Sequence, residues 1–447
     1  MLQYSRREES DVSKKMKNLV SENIDFKNDG RVKSVDVYAP LHVNFGIVII
    51  VLVMMAFGIV MLFSASMPKA YTSQGNAMYY VIRQGRFLIL GFIVGGIITF
   101  LPIKKFDNFF FTAGAYVAAI VLAILTMTMG SVINGARRWI YIGSVSVQPS
   151  EFVKIAMVFF IAGYRSMVQR MRKKGKFVAK DQRNQKTLDA MIDITIPGAM
   201  VLFCLLIVVL QPHMSCFLIL TAVCGICFLC CGIPLSSWLR GGAILLMICI
   251  ILGGIGYLAM PEAKKKSLQQ NFAHVATRLN IFSTMKSEDE EEKEADEDEL
   301  YQSTQSIIAI GSGGITGVGF GNSRQKYMYL PEAHNDYVYS IICEELGFVG
   351  GVSVILLFWL FMVGGIAISW QADSLFTRIL TAGYTSLISI QAFLNIGVAI
   401  GAIPPTGITL PFFSFGGTAN FFFMIAVGMI LSVSRTGRKR KTVKLVV

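Results

Sequence analysis

A string in the last third of the chain, Leu330-Pro331-Glu332-Ala333-His334-Asn335-Asp336, sets two carboxylates and an imidazole at the threshold of a long apolar run. Glu344 stands eight residues beyond Asp336, about two helical turns and roughly the same face, and Glu345 adjoins it. Carboxylates at membrane depth are costly, usually face an interior cavity and default to a functional role. Asp336, Glu332, His334 and Glu344 are therefore candidates for proton transfer or substrate binding. The competing reading is that Asp336 or Asn335 only caps the helix that follows.

Other strings offer charge of the opposite sign. Arg137 and Arg138 lie in Asn134-Gly135-Ala136-Arg137-Arg138-Trp139-Ile140; paired guanidinium forks suit a diphosphate, although arginines beside Trp139 and Tyr141 also suit an interfacial belt. Glu151 and Lys154 follow Gln148-Pro149-Ser150 and are three apart on one helix face, where they either face a ligand or neutralise each other. Lys326 precedes the acidic string. A glycine-rich stretch, Ala309-Ile310-Gly311-Ser312-Gly313-Gly314, reads as a compact loop; it can present backbone N–H groups to phosphate but lacks Walker spacing.

These residues need a scaffold, and composition says which. Hydrophobic residues make up 54% of the 447, charged residues 15%, and mean hydropathy is +0.58. A chain of this kind belongs in a bilayer. The expected fold is all-α and polytopic, with ten apolar stretches near 43–64, 86–101, 108–129, 151–164, 192–210, 215–232, 241–260, 338–368, 379–400 and 418–433. No short apolar segment precedes the first, so it serves as an uncleaved insertion signal.

The formal net charge of +13 does not point to nucleic acid, because 23 of 41 Lys and Arg fall in three segments: residues 1–42, Arg165 to Lys186, and Arg435 onward. An even number of spans puts all three on one side, which the positive-inside rule makes cytoplasmic. The expected organisation is a basic cytoplasmic tail at 1–42, a membrane domain at 43–433 and a basic cytoplasmic tail at 434–447. Parity then sends the polar strings, with Gln211-Pro212-His213 and Pro404 through Gly417, to the outer face as one site. Span seven leads to a large outer loop, 261–336, whose insert 288–299 has ten acidic residues in twelve and reads as solvated chain. The eight cysteines fall inside spans and read as packing residues, the Cys227-x-x-Cys230 pair included.

Taken together and in order, Asn134 to Ile140, Gln148-Pro149-Ser150-Glu151-Phe152-Val153-Lys154, Ala309 to Gly314, Tyr329 to Asp336, Glu344-Glu345-Leu346-Gly347 and Pro404 to Gly417 resemble the SEDS family, the FtsW, RodA and SpoVE group, from about residue 43 to 435. The resemblance implies a ten-span peptidoglycan glycosyltransferase of the bacterial cytoplasmic membrane that polymerises lipid II beside a class B penicillin-binding protein and other divisome or sporulation proteins. The family's essential aspartate falls on Asp336. Ala333 looks more like division-type or sporulation-type members. Asn335 replaces a common Thr, and Gln211-Pro212-His213-Met214-Ser215 lacks the usual Asp and Gly, which puts a role for that loop in doubt.

That chemistry needs a base for the attacking hydroxyl and positive charge for a departing polyprenyl diphosphate. Asp336 is the expected base, its pKa raised by burial and by Glu332 or Glu344. Arg137, Arg138, Lys154 and Lys326 are the expected clamps, and His334 either orients Asp336 or is simply interfacial. No cofactor is demanded, although Mg2+ or Mn2+ can share the work. The rival function is a flippase or transporter of the lipid-linked precursor, but transporters hold substrate near the midplane between repeats, and no repeat is evident.

Overall fold

The structure is a computed structural model that describes residues 32–40, 42–133, 136–143, 145–179, 181–211, 213–259, 297–436 and 438–446. It is mostly helical, and each expected apolar stretch falls on a helix. In chain order the helices are α1 (Phe45–Gln74), α2 (Tyr79–Phe100), α3 (Phe109–Met129), α4 (Pro149–Lys173), α5 (Gln182–Leu210), α6 (Met214–Cys230), α7 (Leu235–Ala259), α8 (Glu297–Gly313), which carries no expected stretch, α9 (Val338–Trp370), α10 (Leu375–Ala399) and α11 (Gly417–Thr436). Among the described residues, seven are long and apolar enough to cross a membrane: α1, α2, α3, α5, α9, α10 and α11. Helix α6 and the apolar part of α7 are shorter.

Helix α4, read as a short fourth span, runs for 25 residues, and it is buried along most of its length rather than apolar. With α10, which is buried along most of its length, it forms the middle of the bundle. Outer helices turn Ile49, Leu52, Ile89, Ile93, Phe110, Leu206 and Leu356 outward, while Thr112, Lys154, Ser389, Gln391 and Asn395 point inward. Apolar outside and polar inside is the arrangement a lipid solvent selects.

Several expectations change. The helical fold carries a small sheet that was not expected: the segment before α4 forms a three-stranded antiparallel meander, β2 (Ser131–Ile133), β3 (Ala136–Ile142) and β4 (Val145–Val147). Its β3 strand carries Trp139-Ile140-Tyr141-Ile142, a run of aromatic and β-branched residues that suits a pleated surface. The glycine-rich stretch is not a loop, since Ala309 to Gly313 close α8. Gly313 is needed there for packing, since a Cβ would run into the Cys343 carbonyl oxygen.

Of the acidic insert only Glu297 to Glu299 are described, and they fall at the start of α8; residues 288–296 lie outside the described residues, as do residues 261–287 of the outer loop. Near the chain ends, β1 (Val32–Pro40) pairs antiparallel with β5 (Arg438–Val446), in segments expected only as basic tails. Asn44 N–H donates to Ser434 Oγ at 3.1 Å, so both tails leave the same end of the bundle. Lys104 and Asp373 pair, as do Arg165 and Asp193, in the connections expected on that side. The eight cysteines are all free thiols, six of them in α5 and α6 or at their ends.

Candidate active site

The polar strings converge at the other end of the bundle, and each is carried there by a different element. Helix α9 begins at Val338 with Tyr337 as its N-cap and no capping side chain, so neither Asn335 nor Asp336 serves as a cap. The preceding string instead folds into turns: the backbone N–H groups of Asn335 and Asp336 donate to the Glu332 carbonyl at 2.9 and 3.1 Å, and Glu332 takes a left-handed φ of +53°. From α10, Asn395 Nδ2 donates to the Asp336 carbonyl at 2.7 Å and to the Ile408 carbonyl at 2.6 Å. One buried amide thus ties the Asp336 backbone to the segment before α11.

Asp336 is partly buried, and its carboxyl is pushed up to about 7, first by burial and then by the Glu332 carboxylate. Glu344 has no part in this. Burial alone would raise Glu332 as well, but the Lys69 ammonium at 2.6 Å, with His334 and Asn335, holds it below the usual carboxylate range. Lys69 comes from α1, which extends ten residues past its expected end at 64. His334 packs its ring on Tyr80 at 4.5 Å and near Phe415 at 6.2 Å, while its carbonyl accepts from Phe415 N–H at 2.9 Å. Burial brings the imidazole down to about 4, with Glu332 opposing and Lys69 adding to the fall. It is neutral at neutral pH and anchors the string to α2 and to the segment before α11.

A second group lies across Gly407. Glu151 and Lys154 pair at 2.8 Å, both buried. Lys154 Nζ also donates to Gln391 Oε1 at 2.7 Å, and Gln391 Nε2 donates to the Thr409 carbonyl at 3.2 Å. The pair is neutral as a unit yet borders a small polar cavity with His213 and Gly407. On β3, Arg137 is exposed and its guanidinium donates to the Thr128 carbonyl at 2.9 Å. Arg138 is half-buried, and its charge reaches His213.

Two expected site residues prove architectural. Lys326 does not face an open site: its ammonium is enclosed by Glu345 at 2.8 Å, Ser64 Oγ at 3.0 Å and the Gly321 carbonyl at 2.6 Å. Those contacts occupy the three donors of an ammonium, which leaves none for a diphosphate. Glu344 accepts from Ser323 Oγ and from Arg324 N–H at 2.8 Å, so it organises the turn before Lys326 rather than joining Asp336. The stretch just after α8 docks where α9 breaks: Gly347 has φ +66°, and a Cβ there would run into Gly317 N and the Ile315 carbonyl.

Reading the sequence missed Lys69, Tyr80, Gln391 and Asn395, and marked Gly407 only as part of the string Pro404 to Gly417. Gln391 and Asn395 carried a legible signal, two amides four apart within an apolar span. Lys69 carried none, because its partner is 263 residues away.

A family model described as "Cell cycle protein", that of FtsW, RodA and SpoVE, matches residues 45–439. The stage V sporulation protein E of Bacillus subtilis is 31% identical over 88% of this chain and 97% of its own. A probable peptidoglycan glycosyltransferase FtsW from Hahella chejuensis is 31% identical over 86% of this chain and 87% of its own. A solved chain from a peptidoglycan synthase complex that coordinates polymerization and crosslinking has the same fold, with a TM-score of 0.60 at 22% identity, covering 88% of this chain and 97% of that one. The chain belongs to the FtsW/RodA/SpoVE family of multi-pass membrane proteins.

Proposed function

We propose that the chain is a peptidoglycan glycosyltransferase that polymerises lipid II into glycan strands on the outer face of the bacterial cytoplasmic membrane, in division or sporulation, with Asp336 as general base. The observation that carries the base assignment is an aspartate at the mouth of α9 whose carboxyl is raised to about 7 by burial and Glu332. A base is most effective when its pKa lies near the working pH.

In the step, a hydroxyl oxygen of the acceptor sugar attacks the anomeric carbon of the donor. Its proton passes to Asp336 Oδ, the glycosidic C–O bond forms, and the bond to the polyprenyl diphosphate breaks with the electron pair leaving on the diphosphate. Direct displacement inverts the anomeric centre. One carboxylate suffices because the diphosphate leaves unprotonated, unlike the leaving groups that glycosidases must protonate. Arg137, Arg138 and Lys154, with Glu151 orienting Lys154, supply positive charge for the departing oxygens. Mg2+ or Mn2+ would be held chiefly by diphosphate oxygens, since among the described residues no cluster of three or more His, Cys, Asp or Glu is placed to hold one.

The relatives' names support the substrate, and the synthase complex supports a partner that crosslinks; a class B penicillin-binding protein fits that role, alongside other divisome or sporulation proteins. The basic tails support a cytoplasmic location for both termini. The test is to incubate the purified chain and its penicillin-binding partner with lipid II in detergent, comparing wild type with Asp336→Asn. Wild type makes glycan strands and the variant does not. Equal polymerisation by both would remove Asp336 as base, and flipping in vesicles without polymerisation would replace the enzyme by a transporter.

A further inference from the structure

The proposed chemistry uses the Glu151–Lys154 pair but gives no task to the histidine beside it. His213, between α5 and α6, is 7% exposed, and its Nδ1 has no hydrogen-bond partner among protein atoms. That ring lines a cavity of about 40 Å3 with Glu151, Lys154, Ser215, Gln391 and Thr409. Glu151 Oε2 is a second buried atom left over: it touches the Lys154 ammonium at 2.8 Å but without hydrogen-bond geometry. Buried polar atoms are nearly always paired, with protein or with ordered water. A water needs roughly 10–15 Å3 of such space and two to four polar partners, and this cavity meets both conditions.

Charge narrows the occupant. Glu151 and Lys154 face the cavity from α4 and Cys216 from α6, Arg138 acts on His213 from β3, and the Gly407–Thr409 segment brings no titratable group. Burial, then Arg138 and Lys154, drive the imidazole down to about 3, so it stays neutral and presents one donor and one acceptor nitrogen. Lys154 repels a cation and Glu151 an anion. Water satisfies both. Gly407, which lines this cavity, also faces Asp336: a Cβ on it would lie 3.7 Å from Asp336 Oδ2.

We propose that His213 is a positioning residue: its Nδ1 and Glu151 Oε2 share ordered water in this cavity, and the bridge holds the carboxylate so that Lys154 stays aimed at Gln391 and the Gly407–Thr409 wall of the site. This rests on the reading of Lys154 as a cation for the diphosphate. Asn at 213 keeps a polar atom close to the Nδ1 position, whereas Phe fills the space without one.

The experiment pairs a high-resolution map of the full chain with its partner and steady-state polymerisation of lipid II by wild type, His213→Asn and His213→Phe, with thermal unfolding of each in detergent. We expect water density between His213 Nδ1 and Glu151 Oε2. His213→Phe, folded, loses about tenfold or more in kcat, the order expected when a group at the site is misplaced, and His213→Asn recovers most of it. A dry cavity in the wild-type map overturns the proposal. So does a His213→Phe enzyme as active as wild type, or an Asn variant no better than the Phe variant. If the wild type itself fails to polymerise, the function reading fails instead, and the map alone decides the bridge.

Discussion

Asp336 and Gly407, 71 positions apart in the chain, form one wall of the site: the carboxylate Oδ2 lies 3.7 Å from where a Cβ of residue 407 would stand, and Gly407 itself holds a φ of +63°. The distance is an ordinary van der Waals contact, so the space would accept a methyl group. The backbone would not do so freely, since a left-handed conformation costs an L-residue about 1–2 kcal/mol.

From this follows the first prediction. Gly407→Ala folds, with a modest loss of thermal stability, but shifts the 407–409 segment against Asp336 and lowers the polymerisation rate more than it raises KM. Full activity in the alanine variant would mean that this wall tolerates displacement and that the contact is incidental.

Asp336→Asn removes the base and also an unfavourable burial. The folded pKa, about 7, stands above the ordinary 3.8. The group's contribution to stability is therefore fully present below about pH 4 and is lost as pH rises through 7. We expect the variant to be inactive and, at pH 8, at least as thermally stable as wild type, with the gap closing as pH falls toward 4. A variant that is inactive because it unfolds would void the comparison of rates.

Activity should fall on the acid side of about pH 7, as the base becomes protonated. Glu332 is the second cause of the raised value, after burial. Glu332→Gln removes that charge and also frees the Lys69 cation, and both changes favour the ionised carboxylate. The acid limb of the pH–rate profile then moves to lower pH, read as a higher ratio of rates at pH 6 to pH 8. An unmoved limb would show that another group controls it.

Lys326→Met leaves buried Glu345 without its cation, with only Ser64 and Ser323 among the described residues still donating to it, the situation in which breaking one half of a buried ion pair costs on the order of 3–5 kcal/mol. Detergent unfolding should show a large drop in Tm, and Lys326→Met with Glu345→Leu should regain part of it. A stable Lys326→Met protein with a raised KM for lipid II would return Lys326 to the binding site.

Much was legible without coordinates. Hydropathy and the distribution of Lys and Arg dictate a bundle with two chemically different ends, because a bilayer excludes charge and requires long apolar helices. The short strings around Glu151 and Asp336 carry enough local identity to mark the family. What local pattern cannot settle is which distant groups meet. Glu344 looked like a neighbour of Asp336 because helical spacing was extended back through residues that fold as turns, and α9 begins only at Val338.

Lys326 and Lys69 are alike as isolated cations in the sequence. Tertiary packing buries the first against Glu345 and leaves the second half-exposed on Glu332. The glycines of 309–313 read as a loop by propensity, yet they lie in α8, where Gly313 packs against the Cys343 carbonyl. Residue type and spacing dictate membrane class and the order of the apolar stretches, since those follow from transfer free energies and short-range geometry, while the choice of Asp336 as proposed base came from the resemblance of whole strings to the family. The placement of Gly407, Asn395 and the Glu151–Lys154 pair around that aspartate was decided by packing between helices far apart in the chain, where the cost of burying an unpaired charge selects the partner.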